Sequence, residues 1–540
     1  MKAARPWAAA DWLVALLIAV VLLLRLGGAP LYDVDEGAFS EATREMLASG
    51  DFGSTTLNGA PRFDKPILVY WLQAASASVF GIGEFAFRLP SALCSLVWCA
   101  ALWAFARPRV GATTARLAAL MLACSLGVLA IGRAATADAL LNMLLALAMF
   151  EVWRALERGP GEEPDRAAIR RAYLWVGLGL LAKGPVAALI PGAVSLLAAL
   201  LAGRLQRLRE AALDWRGWAI LVAVAAPWYA YILHRHGMDF VDGFILKHNV
   251  SRYTSPLEGH SGSLLYYLVM GPLLWLPWSG LLPAVLGHAR ADWRLPLGRF
   301  LWLWAVFVIV FFSLSGTKLP HYLLYGSTPV FIGLAQAVRL VQRPGFLPRT
   351  WQTLAQVLTA AMLLLLMLLP PLLQRAANRV KDPLYAELLG SAQALVQPHY
   401  AVLIGAVLGA WLLGSLGSRL VNGERSFTAA WAAGGAAFAL LVVGWTAPWL
   451  GSVLQGPLPR AAAAARAHLQ DNPADGAVVQ WKLAQPSFSV YLQAVTPRGE
   501  PQPGQLALTR RDRLDADPCD DCRILFEDRG FVLLKKEVTH

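Results

Sequence analysis

Along most of this chain the apolar residues come in unbroken runs, not in the one-sided or alternating patterns of a soluble protein. WLVALLIAVVLLL, Trp12 to Leu24, is the first. A run of about 20 apolar residues crosses a bilayer as a helix. Read by hydropathy, the pattern predicts about thirteen such helices, near 12–28, 86–106, 114–131, 134–153, 172–187, 188–203, 217–234, 264–287, 299–315, 322–338, 352–374, 400–418 and 428–450. The chain therefore reads as a polytopic α-helical membrane protein. GGAPLYDVDEG follows the first run without a small-x-small cleavage site, so that run is expected to be a retained span, not a signal peptide.

The polar connections carry the orientation. Lys2 and Arg5 place the N-terminus inside. The connections then expected inside are 107–113, 154–171, 204–216, 288–298, 339–351 and 419–427, and each holds arginine. Cytoplasmic loops are enriched in Lys and Arg, so the alternation supports both the span count and the orientation. An odd number of spans puts the C-terminus outside. Residues 1–455 form the membrane domain, with 29–85 as its first outside loop. Residues 456–540 change to mixed composition and read as a small α/β domain outside the membrane. GAVVQWKL, SFSVYLQA, CRILFED and FVLLKK are the expected strands, the last two joined by a hairpin at Asp528-Arg529-Gly530.

Composition agrees. The chain is 57% hydrophobic and 15% charged, where a soluble enzyme carries about a quarter charged residues. The net charge of +12 sits in short clusters between spans, which writes topology and makes no nucleic-acid-binding patch. Cys94, Cys99 and Cys124 fall within spans and read as packing residues. Cys519 and Cys522 form a CxxC in the outside domain, for which a local disulfide is the plain expectation. A redox motif needs a βαβ context, and a zinc site needs two more ligands.

The outside span ends collect charge. YDVDEGAFSEATREMLASGDF, Tyr32 to Phe52, sets Asp35 beside Glu36 just past the first span. Within it SEATREMLASG has helical spacing, is too short and charged to span, and is expected along the membrane surface; KPILVYWLQAASASVFG is a candidate second surface helix. Arg133, Asp138, Lys183, His248, Arg252, His260, Lys318 and His321 lie at other outside ends. Solvated loop charge is the plain reading for Arg379, Glu387 and Glu45. It is weakest for Lys183 and Asp138, which sit in apolar helices where ionisable groups are expensive and line a cavity or pathway. A lipid transporter would place charges at mid-span and show repeated halves; no repeat is visible, and the charges gather at one side. An enzyme acting on a lipid-borne substrate at the outer surface fits better. Lys and Arg would hold a phosphate leaving group, and a carboxylate would handle the attacking group.

DEGAFSEATREMLASGDF followed by RFDKPILVYW resembles the first-loop signature of the polyprenyl-phosphate-sugar glycosyltransferases of the GT-C superfamily. It most resembles the 4-amino-4-deoxy-L-arabinose lipid A transferases and their protein O-mannosyltransferase-like relatives. LLAKGP, KHNVSRY, EGH, LLWLPWSGLLP and GTKLPHYLL extend the likeness to roughly residue 330. The resemblance implies an inverting transfer of a sugar from an undecaprenyl phosphate donor, without a nucleotide, at the periplasmic face of a bacterial inner membrane. The best match is aminoarabinose to lipid A; another polyprenyl-linked sugar, or a polysaccharide, lipid or protein acceptor, stays open. It makes Asp35, with Glu36 beside it, the catalytic carboxylates. It gives the donor phosphate to Lys65, Lys183, Arg252 and Lys318. Arg44, Arg133, Asp138, His248 and His321 are left to contact acceptor and sugar. Asp64 and His260 match positions associated with a divalent metal, zinc; the alternative pairs Asp64 with Lys65 or an arginine and leaves His260 as a loop histidine. The family often carries Glu where this chain has Asp64.

Overall fold

In a computed structural model, residues 8–159, 162–255, 261–342, 345–421 and 423–538 are described. Helices occupy all thirteen expected segments. Eight are long and apolar enough to cross a membrane: Glu84–Val110, Asp138–Glu157, Trp215–Thr254, Pro296–Leu314, Pro320–Val341, Arg349–Ala377, Tyr400–Gly417 and Thr428–Leu454. The pair Tyr266–Leu274 and Trp278–Arg294, bent by 113°, makes a ninth if it is one span. Ala9–Leu23, Ala112–Ala123 and Val186–Ala202 are apolar but shorter. The bundle is a polytopic membrane fold: Leu13, Val222, Val310 and Leu413 face outward, where a soluble protein would place polar groups.

The arginine-bearing connections meet. Arg204 Nη1 donates to the Leu156 carbonyl, Arg207 Nη2 to that of Gly159, and Arg299 to that of Leu201. Asp165 and Asp214 cap the helices that follow them, accepting from Ala168 N at 2.9 Å and Gly217 N at 2.8 Å.

The segment expected on the membrane surface is instead a covered helix. Asp35–Ser49 closes at Gly50 in the left-handed conformation (φ 70°) and buries every residue from Glu36 to Met46. Its charges pair inward, which is how so polar a helix tolerates burial. Arg44 forks onto Glu41 at 2.6 and 2.7 Å. Burial pushes the Glu41 carboxyl up to about 8 against the pull of Arg44. Glu45, expected to be solvated, accepts from Thr56 Oγ1 and Gly59 N of the small hairpin Thr56–Leu57/Ala60–Pro61.

Past Leu454, a four-stranded sheet in the order 478–480, 506–510, 531–536, 522–528 has one parallel and two antiparallel pairings. The last two strands form the expected hairpin at Arg529-Gly530. SFSVYLQA is not a strand. Pro486 occupies the first turn of a helix, Pro486–Leu492, ended by Gln493 in the left-handed region. Leu506–Arg510, which the strand reading passed over, is a fully paired inner strand. Cys519 and Cys522 are disulfide-bonded.

Candidate active site

The Asp35–Ser49 helix begins with two adjacent carboxylates in opposite environments. Glu36 is buried. Its Oε1 accepts from Arg88 Nε (2.8 Å) and Ala135 N (2.7 Å), and its Oε2 from Arg88 Nη2 (2.6 Å) and Tyr32 N (2.9 Å). Arg88 also donates to the carbonyls of Leu26, Ala29 and Pro30. Glu36 was expected at the reacting centre; with both oxygens committed it locks the loop instead. Asp35 is exposed, and among the described residues no hydrogen bond or ion pair ties its carboxylate.

One side of Asp35 faces a cluster of cations. Arg62, His321 and Tyr322 all lie within electrostatic reach of it. Lys65 feels Lys183, Arg252, Asp64 and Arg62. Lys183 pairs with Asp138 and donates to the Tyr325 hydroxyl (2.7 Å), which donates to Asp138 Oδ1 (2.7 Å). The Lys183 ammonium lies 5.6 and 5.5 Å from the ring centres of Tyr322 and Tyr325, within range of cation–π attraction. His321 Nε2 stands 3.5 Å from Asp138 Oδ1. Thus Asp35, Asp64, Lys65, Asp138, Lys183, His248, Arg252 and His321, drawn from six separate stretches of sequence, converge.

Burial and the neighbouring Lys183 and Arg252 push the Lys65 ammonium down to about 7. Burial works against the Asp64 carboxylate, but His248 at 2.6 Å, Arg62 at 3.0 Å and Lys65 hold it well below the usual range. Arg62, Lys65, Lys183 and Arg252 face Asp35, Asp64 and Asp138; counting these lysines, arginines and carboxylates alone, and with Lys65 protonated, four cations meet three carboxylates and leave one positive charge over. A singly charged phosphodiester would balance it.

Arg62 is the residue that sequence reasoning passed over. Its guanidinium stacks over Phe39, 5.1 Å from the ring centre. Its Nη2 holds Asp64, while Nε and Nη1 are buried without a hydrogen-bond partner among the described residues. Buried donors of this kind are costly unless a ligand supplies acceptors. The available signal was its place in RFDK, three residues before Lys65.

Three other expected site residues are engaged by groups of their own surroundings. Lys318 donates to the Ser315 carbonyl at 2.6 Å, at the C-terminal end of the Pro296–Leu314 helix, where cations are favoured. Arg44 is consumed by Glu41 within its own helix. Arg133 donates to the carbonyls of Val21 and Leu24 and caps the first apolar helix, though it also lines a cavity. Asp64 and His248 have the donor atoms a divalent cation uses. His260 lies outside the described residues, and among the described residues no group of three or more candidate ligands forms. Zinc takes three or four protein donors, so this set does not by itself fit the ion.

On the other side of Asp35 is a cavity of about 520 Å³. Arg25, Arg133, Thr136 and Asp35 mark its polar edge, and Leu129, Ile131, Leu366, Leu369, Val443 and Leu450 its apolar wall. Thr136 Oγ1 is buried without a partner among the described residues.

Residues 64–231 match the family model described as dolichyl-phosphate-mannose-protein mannosyltransferase. An undecaprenyl phosphate-alpha-4-amino-4-deoxy-L-arabinose arabinosyl transferase of Pseudomonas paraeruginosa is 30% identical over 406 residues, 73% of this chain and 68% of the relative. The chain belongs to this arabinosyl transferase family. The homologous transferase of Shewanella sediminis is 31% identical over 337 residues, which span 60% of this chain but only 59% of that relative. The fold agrees over almost the whole length with the crystal structure of ArnT from Cupriavidus metallidurans bound to undecaprenyl phosphate: TM-score 0.79 at 22% identity, covering 98% of both chains. The chain thus has the GT-C membrane architecture.

Proposed function

We propose that this protein is an inverting glycosyltransferase that moves 4-amino-4-deoxy-L-arabinose from undecaprenyl phosphate to lipid A. The observation that carries the reading is Asp35, a carboxylate with no hydrogen-bond or ion-pair partner among the described residues, beside a cation cluster and an apolar-walled cavity. Membership in the arabinosyl transferase family supports the sugar and the carrier. The bundle is a multi-pass bacterial inner-membrane protein. The arginine-rich connections support an active site and C-terminal domain on the periplasmic side.

In the reaction the bond between the sugar's anomeric carbon and the carrier phosphate breaks while an acceptor oxygen attacks from the opposite face. Lys65, Lys183, Arg252 and Arg62 hold the donor phosphate and stabilise the second negative charge it gains on leaving. If the attacking group is a hydroxyl, Asp35 takes its proton. If it is a lipid A phosphate, already anionic, Asp35 orients it and offsets the positive charge developing on the sugar. Asp138 and Tyr325 hold the Lys183 ammonium in place. The cavity beside Asp35 suits an acceptor that is apolar with an anionic head, acyl chains along the helices and phosphate near Arg25 and Arg133.

Mass spectrometry of lipid A from cells with and without the protein tests this. A protein-dependent mass increase of one aminoarabinose is expected. No increase, in cells shown to make the donor, would move the sugar or acceptor elsewhere. A metal at Asp64 and His260 is read separately: inhibition by chelator reversed by zinc would support an ion there, and indifference would leave Asp64 as the ion-pair partner of Arg62.

A further inference from the structure

The C-terminal domain reaches across to the segment that carries Asp35. Asp33 Oδ1 accepts from Ser487 N at 3.0 Å, and its Oδ2 accepts from the Ser487 hydroxyl. Leu31 N donates to the Tyr491 hydroxyl at 2.7 Å, which donates on to Glu84 at 3.0 Å. Ser489 Oγ donates to Asn58 Oδ1 at 2.9 Å. Val490 is buried with Leu31, Ala77, Ala86, Phe87 and Ala135. The approach is so close at Gly37 that a Cβ there would collide with the Asp33 carboxylate and stand 2.6 Å from Ser487 N.

All these contacts come from one short helix, Pro486–Leu492, and bracket the residues around Asp35. The domain behind that helix is itself held at a second place. Arg510 pairs with Asp382 at 2.6 Å, and Arg529 donates to the Ser452 and Val453 carbonyls at 3.1 and 3.0 Å. Just before the helix, Gln480 Nε2 of the 478–480 strand donates to Thr496 Oγ1 at 2.7 Å while its Oε1 accepts from Gln485 N at 2.7 Å, which fixes the turn that presents Ser487.

We propose that the C-terminal domain is a working part of the active site: Ser487 and Tyr491, through Asp33 and Leu31, are positioning residues that hold Asp35 in its reacting place. The proposal rests on Asp35 as the reacting carboxylate. Among the described residues Asp35 has no hydrogen-bond or ion-pair partner of its own to aim it, and it lies two residues from Asp33. Glu36 and Arg88 pin the segment to the Glu84–Val110 helix, and Ser487 and Tyr491 pin it to the C-terminal domain. Catalytic geometry of this kind is lost over displacements of about 1 Å, with losses near 10²-fold.

The test uses the full-length chain in lipid nanodiscs, as wild type, Ser487→Ala, the double variant Ser487→Ala/Tyr491→Phe, and Ser487→Thr. Hydrogen exchange of amides 31–37 is expected to quicken roughly tenfold or more in the double variant, with strands 506–510 and 531–536 unchanged. Transfer is expected to lose about 10- to 100-fold in kcat with the donor KM within about twofold, and Ser487→Thr is expected to recover most of it. Unchanged exchange at 31–37 overturns the clamp whatever the reaction turns out to be. Faster exchange with unchanged kcat overturns its role in positioning. If the double variant fails to fold, Ser487→Ala alone decides by the same readouts. If the wild type transfers no aminoarabinose, the functional reading fails, and the exchange measurement still judges the clamp.

Discussion

Two carboxylates that are neighbours in sequence, Asp35 and Glu36, start one helix and point to different tasks, because Arg88 and two backbone amides take both oxygens of Glu36. Hydropathy places both at a span end and has no way of telling them apart; the difference comes from Arg88, 52 residues on. Lys65 gives a residue-scale prediction. Its ammonium is pushed down to about 7, so it is charged below that pH and neutral above it. The kcat/KM for donor is expected to fall as pH rises through about 7, because kcat/KM reports the free enzyme. Lys65→Arg is expected to remove the fall, since a guanidinium stays charged; a pH–rate series on both proteins checks it. Arg62→Ala is expected to lower kcat by about 10²–10³-fold, as loss of one buried donor to developing negative charge does, and steady-state kinetics read it.

At the scale of elements, the Asp35–Ser49 helix shows why a polar stretch resisted reading. Eleven consecutive residues are buried, yet Glu41, Arg44 and Glu45 lie among them, and charge normally marks a solvated face. Partners supplied by the helix itself and by the 56–61 hairpin make burial tolerable, and only the fold reveals them. SFSVYLQA misled in the opposite sense. Its alternation reads as a strand, but Pro486 favours the first turn of a helix. The Glu36–Arg88 pair tethers this helix to Glu84–Val110. Glu36→Gln leaves a buried arginine uncompensated, which costs about 3–5 kcal/mol. A clear loss of thermal stability is expected, measured by unfolding in detergent. A catalytic Glu36 would instead give a stable, inactive protein.

At the scale of the whole molecule, the sequence was most informative where the physics is local. Span positions follow from runs of Leu, Val and Ala, and the converging cations Lys65, Lys183 and Arg252 were picked out by motif. The docking of Pro486–Leu492 over the 31–37 segment was invisible, because it joins residues more than 450 positions apart through two hydroxyls and a carboxylate. The same holds for the two faces of Asp35, since the cavity wall comes from Leu129, Leu366 and Val443 on three different helices.

The most direct measurement is single-turnover transfer by purified Asp35→Asn, made alongside its binding of undecaprenyl phosphate. Binding within about twofold of wild type is expected, because the cations are untouched. The transfer rate is expected to fall by about 10²–10⁴-fold, the usual contribution of a positioned acid or base. Transfer at the wild-type rate would contradict Asp35 as the reacting carboxylate, and loss of binding with transfer would make it part of the donor site.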